Sequence, residues 1–128
     1  MKLNHDCVRF LLLKLEEDLD DSETIFINEL KLKRFKKSEI MYAAKKLIEA
    51  GFLTGDLSYG DNQPEIYISE ITWEGHKFLD NIRDPAVWEH SKSVLSKFLS
   101  TSIGIVENVS AQVITNLIEK ELGLNPIP

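Results

Sequence analysis

Two segments of the sequence decide the fold. The first, Leu47-Ile48-Glu49-Ala50-Gly51-Phe52-Leu53, has the pattern of an amphipathic helix that ends at a glycine and turns directly into a strand. The second, Ile71-Thr72-Trp73-Glu74-Gly75-His76-Lys77-Phe78-Leu79, has the pattern of a strand end, a threonine N-cap and a new helix. Its glycine allows that helix to lie close to a sheet. Together the two segments predict a strand pair between two helices.

The residues between the two segments predict a β-hairpin. Strand patterns cover Phe52–Tyr59 and Glu65–Ser69, and Gly60-Asp61-Asn62-Gln63-Pro64 between them has strong turn chemistry. Before the hairpin, apolar spacing and cap residues predict four elements. They are a helix over Asn4–Leu19 capped by Asn4, a short strand over Thr24–Ile27, a short helix from Asn28 to about Lys33, and a helix over Ser38–Ala50 capped by Ser38.

Three further helices are predicted after the hairpin. The first begins at the Thr72 cap, and the second begins at Asp84-Pro85 and runs through about Leu99. The third has apolar residues at helical spacing from Ile105 to Ile118, and Gly123 marks its end. The order helix, strand, helix, helix, hairpin, helix is that of a winged helix-turn-helix. We therefore predict an α+β, mostly helical chain. Residues 1–83 form a winged-helix domain, and residues 84–128 form a C-terminal two-helix extension for packing or dimerisation.

Composition indicates a globular chain in a reducing compartment. The 128 residues are 43% hydrophobic and 28% charged, which suits a packed core. A single cysteine, Cys7, cannot form an intrachain disulfide. No apolar run is long enough to cross a bilayer, and the N-terminal residues lack the pattern of a secretory signal. We therefore expect a cytoplasmic protein with no membrane association.

Charge is distributed unevenly along the chain. The formal net charge is -6, yet residues 28–50 carry seven basic and three acidic side chains. In a winged helix the helix before the hairpin enters the DNA major groove, so this basic segment predicts a site for double-stranded DNA. The predicted DNA-binding residues are Lys33, Arg34, Lys36, Lys37, Ser38, Tyr42, Lys45 and Lys46. The alternative is a solvated charged surface with no specific partner.

The hairpin region does not share this charge. Residues 51–76 contain no Lys or Arg, and five acidic residues lie among them. Repulsion from phosphates disfavours contact between the hairpin and DNA, so specific binding would require a dimer. The apolar stripe from Ile105 to Ile118 predicts such a homodimer through the C-terminal helices, or else packing back over the first helix.

Catalytic and metal-binding patterns are weak. His5 and Cys7 lie close in sequence, but no histidine and cysteine set has the spacing of a zinc site. Phosphate-binding loops and nucleophile motifs are also missing, so we expect a non-enzymatic protein without a cofactor. Trp73 and Trp88 are predicted to be core or helix-packing residues and not a platform for a ligand. A second function remains open: a module that binds another protein, of host or phage, through its acidic hairpin and C-terminal helices.

Several segments resemble the YjcQ family, uncharacterised proteins common in Gram-positive bacteria and their prophages. The similar segments are Met1–Arg9, Leu47–Leu53 and Ile71–Asp84, together with Trp88, and the resemblance extends over about residues 1–122. It implies a winged-helix fold and an association with phage, and thus a small prophage-associated regulator. It implies no catalytic residues.

Overall fold

The computed structural model describes residues 1–98 and 101–123. Within these residues, five helices and three strands follow one another, with one 3-10 turn at Ile27–Glu29. They are α1 (His5–Asp18), β1 (Ile25–Phe26), α2 (Lys37–Glu49), β2 (Leu53–Gly60), β3 (Gln63–Ile71), α3 (Trp73–Ile82), α4 (Pro85–Leu95) and α5 (Ile103–Glu121). The strands form an antiparallel sheet in the order β1-β3-β2. The predicted class is confirmed: a mostly helical α+β chain, consistent with a winged-helix arrangement.

Helix α1 supplies many of the buried apolar side chains that pack around the sheet and α2. The Asn4 side chain accepts a hydrogen bond from the Cys7 amide at 3.1 Å, which satisfies one of the free amides at the helix start. Leu11, Leu12 and Leu15 are fully buried, at helical spacing. Helix α1 and its predicted cap are confirmed.

The predicted short helix from Asn28 to about Lys33 is wrong. The structure has only the 3-10 turn there, and the backbone is extended at Leu30. The Asn28 side chain does not cap a helix. It donates to the Pro64 carbonyl at 2.8 Å and accepts from the Ile66 amide at 3.1 Å, which ties the segment to β3. These long-range bonds occupy the groups that a cap would use.

The N-cap of helix α2 lies two residues earlier than predicted. Lys36 is its N-cap residue, so Ser38 lies in the first turn and is not the cap. Its C-terminus is as predicted, because Gly51 adopts a left-handed conformation with φ +81°. The Gly51 amide donates to Ile48 and the Phe52 amide donates to Leu47. This pair of bonds is the Schellman motif, and it directs the chain straight into β2.

The hairpin is tighter than the predicted five-residue connection. Gly60 pairs with Gln63, which leaves Asp61 and Asn62 as a two-residue turn. Both have positive φ, at 50° and 65°, as a type I′ turn requires. Asparagine and aspartate tolerate this conformation better than other residues with side chains. Strand pairing therefore extends up to the turn.

Helix α3 lies against the root of the hairpin. Thr72 caps it by accepting from the Gly75 amide at 3.1 Å, as predicted. Gly75 is buried, and a Cβ atom there would collide with the Phe52 carbonyl oxygen. On the next turn the Phe78 ring stacks on Phe52 with centroids 5.0 Å apart. The predicted close approach of this helix to the sheet is therefore present.

The chain divides into two compact units, Met1–Leu79 and Asp80–Pro128. In the second unit α4 packs against α5. Asp84 caps α4 by accepting from the Ala86 and Val87 amides, with Pro85 at the first helical position as predicted. Helix α4 ends at Leu95. The predicted end at about Leu99 lies outside the described residues. Gly123, with φ +75°, follows the end of α5.

The two ends of α5 differ in burial. Val106, Ser110 and Val113 are buried, whereas no residue from position 114 to 123 is. Leu117, Ile118 and Leu122 are exposed in this last part. Across residues 1–98 and 101–123, no helix combines the length and the apolar character needed to span a membrane.

The contact at Gly75 gives a stability prediction. Gly75→Ala should destabilise the chain by about 1–3 kcal/mol, because the added methyl group meets backbone that cannot move without disturbing β2. Gly104→Ala is the matched control: its nearest neighbour would be Ser102 Oγ at 3.8 Å, so the change should be neutral or slightly stabilising. Urea unfolding followed by circular dichroism measures both. Equal effects at the two glycines would contradict the packing at Gly75.

Candidate nucleic-acid interface

The predicted DNA-binding residues lie on α2 and on the turn that leads into it. Lys33 and Arg34 lie in that turn, Lys36 is the cap residue, and Lys37 and Ser38 belong to the first helical turn. Tyr42, Lys45 and Lys46 follow along the helix. Tyr42 and Lys46 are half-buried and the other six are exposed. Ser38, Tyr42 and Lys45 are spaced at i, i+4 and i+7, so they share one side of α2.

The basic side chains of this surface differ in their contacts with carboxylates and aromatic rings. Lys46 Nζ forms an ion pair with Glu49 at 2.9 Å and lies 5.3 Å from the centre of the Tyr42 ring. The hydrogen bond that Lys46 donates to the Glu49 carboxylate raises the pKa of Lys46. Arg34 lies over the Phe10 ring. In contrast, the ion pairs among the described residues include none with Lys33, Lys36, Lys37 or Lys45.

Glu39 holds the start of α2 in place. Its carboxylate accepts from the Asn4 side-chain amide at 2.9 Å and from the Lys36 backbone amide at 3.2 Å. These bonds, with that from Asn4 first, lower the pKa of Glu39. Because Asn4 also caps α1, one carboxylate connects the N-termini of α1 and α2. The basic turn is thereby fixed at its helical end.

The hairpin residue Asp56 points away from α2. Leu57 and Tyr59 line a groove beside α2. Side chains alternate along a strand, so Asp56, directly before Leu57, points to the opposite face of the sheet. Asp56 pairs there with Tyr67, whose ring stacks on Phe26. The part of β2 beside α2 is therefore uncharged, which the acidic total for residues 51–76 did not reveal.

The groove between α2 and the hairpin has a volume of about 460 Å³. Sequence reasoning missed it, although the alternation of Leu57 and Tyr59 on a hairpin was a signal for an apolar face. None of the described residues that line it is acidic. The lining residues are Met1, Asn28, Lys37, Ser38, Met41, Tyr42, Lys45, Leu57, Tyr59, Gln63, Pro64 and Ile66. The apolar groove and the exposed side of α2 therefore form one continuous surface.

Lys37 lies at the border of this groove and a second depression. That depression is lined by Glu29, Asp61 and Glu65 among other residues, and it lies towards the hairpin turn. None of the three carboxylates forms an ion pair with Lys37. The field at the start of α2 is therefore weaker on this side than the number of lysines indicates.

Other chemical groups offer less. A cleft of about 490 Å³ brings His76 together with Glu16, Asp20, Asp21 and Glu70. Even so, residues 1–98 and 101–123 contain no set of three or more His, Cys, Asp or Glu side chains placed to hold a metal ion. Burial, with a smaller contribution from Glu39, raises the pKa of the Cys7 thiol to about 11, so it stays protonated at neutral pH.

The two tryptophans have different environments. Trp88 is buried, as predicted for a core residue. The prediction for Trp73 is wrong, because its side chain is 78% exposed at the first position of α3. Gly75 and Phe78 make the close contacts of that helix instead, which leaves Trp73 on the outer side.

Fold and site together define a small α+β protein of winged-helix-like arrangement with an exposed basic helix beside a hairpin. The chain belongs to the family described as hypothetical protein (DUF2513), whose model matches residues 2–102. A protein of Haemophilus influenzae named "Uncharacterized protein" is 29% identical over 120 residues, covering 92% of this chain and 99% of that protein. No solved structure matches the chain. These findings do not support the YjcQ family name or a Gram-positive prophage origin.

Glu39 gives a prediction of pH dependence. Because its pKa is lowered in the folded chain, its contribution to stability is present above its ordinary value of 4.5 and is lost as pH falls through the folded value. Glu39→Gln should therefore lower the urea midpoint at about pH 7, and the difference from wild type should shrink towards about pH 3. Glu17→Gln, at an exposed position of α1, is the control. A pH-independent difference for Glu39→Gln would contradict the role of its charge.

Proposed function

We propose that this protein binds double-stranded DNA through α2 and the turn before it. The observation that carries the proposal is the exposed set Lys33, Lys36, Lys37 and Lys45, none of which forms an ion pair within the described residues. Unpaired lysines on one helix and its preceding turn attract phosphates without first breaking internal salt bridges. In this proposal the protein is a non-enzymatic transcriptional regulator of the cytoplasm.

The roles of the residues follow from their places on α2. Lys33, Arg34, Lys36 and Lys37 flank the N-terminus of α2, where phosphates are also favoured by the helix dipole. Ser38, Tyr42 and Lys45 share the side of the helix that would face base edges. Lys46 contributes less, because its ammonium group is already paired with Glu49. The uncharged Leu57 and Tyr59 allow β2 to approach the duplex without repulsion.

A single copy would bind weakly. It offers about five phosphate contacts, and such binding falls steeply with salt concentration. We therefore propose a homodimer, with α5 as the contact. The support is the exposed apolar end of this helix: Leu117, Ile118 and Leu122 are 42%, 53% and 68% exposed. A two-fold dimer would present two α2 helices to two half-sites.

Neutralising two of the proposed phosphate contacts tests DNA binding. The double variant Lys33→Gln/Lys36→Gln should weaken binding to labelled duplex DNA about tenfold at about 50 mM salt, measured by fluorescence anisotropy. It should also reduce the slope of log affinity against log salt by about two, since each phosphate contact contributes about 0.9.

The control removes the same charge elsewhere. Lys97→Gln/Lys120→Gln changes two exposed lysines of the second unit and should leave the slope within about 0.5 of wild type. Equal losses in the two double variants would indicate attraction to net charge alone. Absence of wild-type binding at low salt would exclude the DNA proposal.

Charge on the exposed end of α5 tests the dimer. Leu117→Asp/Ile118→Asp should convert a dimer to a monomer in sedimentation velocity, because two like-charged pairs would meet across the interface. Gln112→Asp/Asn116→Asp adds the same charge at exposed polar positions on the other side of the same helix and should preserve the dimer. A monomeric wild-type chain at high concentration would overturn this part of the proposal.

A protein-binding module is the second candidate. The favouring observation is Trp73, an exposed tryptophan of the kind that anchors protein interfaces. The acidic face of the hairpin and the exposed end of α5 would add contacts with a host or phage protein. A prophage-associated role, which the YjcQ resemblance implies, stays a prediction in both cases.

A further inference from the structure

We propose that the groove between α2 and the hairpin binds a small amphipathic organic anion, with an aromatic or branched aliphatic body and one acidic group. The groove lies between Met41 and Tyr42 on one side and Leu57 and Tyr59 on the other. Buried Ile66 also contributes to it. Such apolar walls with a few polar groups are typical of small-molecule sites.

Charge determines the class of ligand. Lys37 and Lys45 are the charged side chains among the lining residues, and the ion pairs of the described residues include neither. They lie two helical turns apart on α2, so both ammonium groups can approach an acidic group in the groove. An uncharged ligand would form no ion pair with these ammonium groups. A cationic ligand would be repelled.

The dimensions of the groove agree with a small molecule. Its volume of about 460 Å³ falls within the range of about 300–1,000 Å³ that small-molecule sites occupy. Tyr42 and Tyr59 offer ring faces, and their hydroxyl groups supply polar ends. Leu57 and Tyr59 are 39% and 72% exposed, so a ligand would remove apolar surface from water.

Occupation of the groove has a regulatory consequence, which rests on the proposed DNA binding. Lys37, Ser38, Tyr42 and Lys45 belong both to the groove and to the proposed DNA surface. A bound anion would neutralise two lysines and cover the side of α2 that would face the bases. The ligand and the duplex would therefore compete directly, without a conformational change.

Two fluorescent probes test the site without DNA. Anilinonaphthalene sulfonate is an aromatic anion, and N-phenyl-naphthylamine is its uncharged counterpart. Wild-type protein should bind one sulfonate probe per chain with increased fluorescence. Lys37→Met/Lys45→Met should weaken binding of the sulfonate about tenfold, and that of the uncharged probe by less than about twofold, since only ion pairing is removed. Leu57→Ser/Tyr59→Ser should weaken both probes about tenfold.

The controls separate the groove from other surfaces. Lys33→Met/Lys36→Met removes two nearby lysines that do not line the groove, and Leu117→Asp/Ile118→Asp alters the exposed end of α5. Both should bind the sulfonate as wild type does. Loss of binding in the α5 variant, or unchanged binding in both groove variants, would overturn the site. Circular dichroism verifies that each variant is folded.

Competition then separates this inference from the DNA proposal. The sulfonate should release labelled duplex from wild-type protein at concentrations that fill the groove. Probe binding without any DNA binding would leave the site intact and end the DNA proposal. DNA binding by a chain that binds neither probe would leave the DNA proposal intact and overturn the ligand site.

Discussion

Thr72 forms the junction on which the first unit depends. Its hydroxyl group donates to the Gly51 carbonyl at 2.6 Å and accepts from the Gly75 amide, while its own amide donates to Phe52 at 3.1 Å. The end of α2, the start of β2 and the start of α3 are thus joined at one residue. The Phe52–Phe78 stack covers the junction on its apolar side. The two segments that decide the fold in sequence are therefore in contact in space.

This junction also creates the groove. Helix α2 ends at Glu49 and β2 begins at Leu53, so the chain has three residues in which to reverse. The Schellman bonds at Gly51 and Phe52 fix the direction of that reversal. Because β2 must then run beside α2, every second side chain of β2 lies on the same side of the sheet as the helix. The apolar surface at Leu57 and Tyr59 is a direct result of this short connection.

Local signals in the sequence predicted those features whose bonds are local. The caps at Asn4, Thr72 and Asp84 bond within three residues, and all three are present. The failed helix at Asn28 involves bonds to a distant part of the chain. Asn28 bonds to β3, 36 and 38 residues away, and a cap assigned from its neighbours alone cannot anticipate such partners. The Ser38 cap was wrong for a local reason, because the Glu39 carboxylate accepts a hydrogen bond from the Lys36 amide three residues earlier.

The candidate surface could be predicted as a set of residues but not as an electrostatic field. Charge counting treats Lys45 and Lys46 alike, whereas Glu49 engages Lys46. It also assigns Asp56 to the hairpin without saying which face it occupies. At physiological salt a charge acts over about 8 Å, so the net charge of -6 has little influence on an anion that approaches α2. What such an anion meets depends on the few groups within that distance. Lys37 and Lys45 favour it, and the carboxylates of Glu29, Asp61 and Glu65 limit it on the side of the hairpin turn. A DNA duplex and a small organic acid would meet the same lysines and carboxylates, and this is why one surface can be proposed for both.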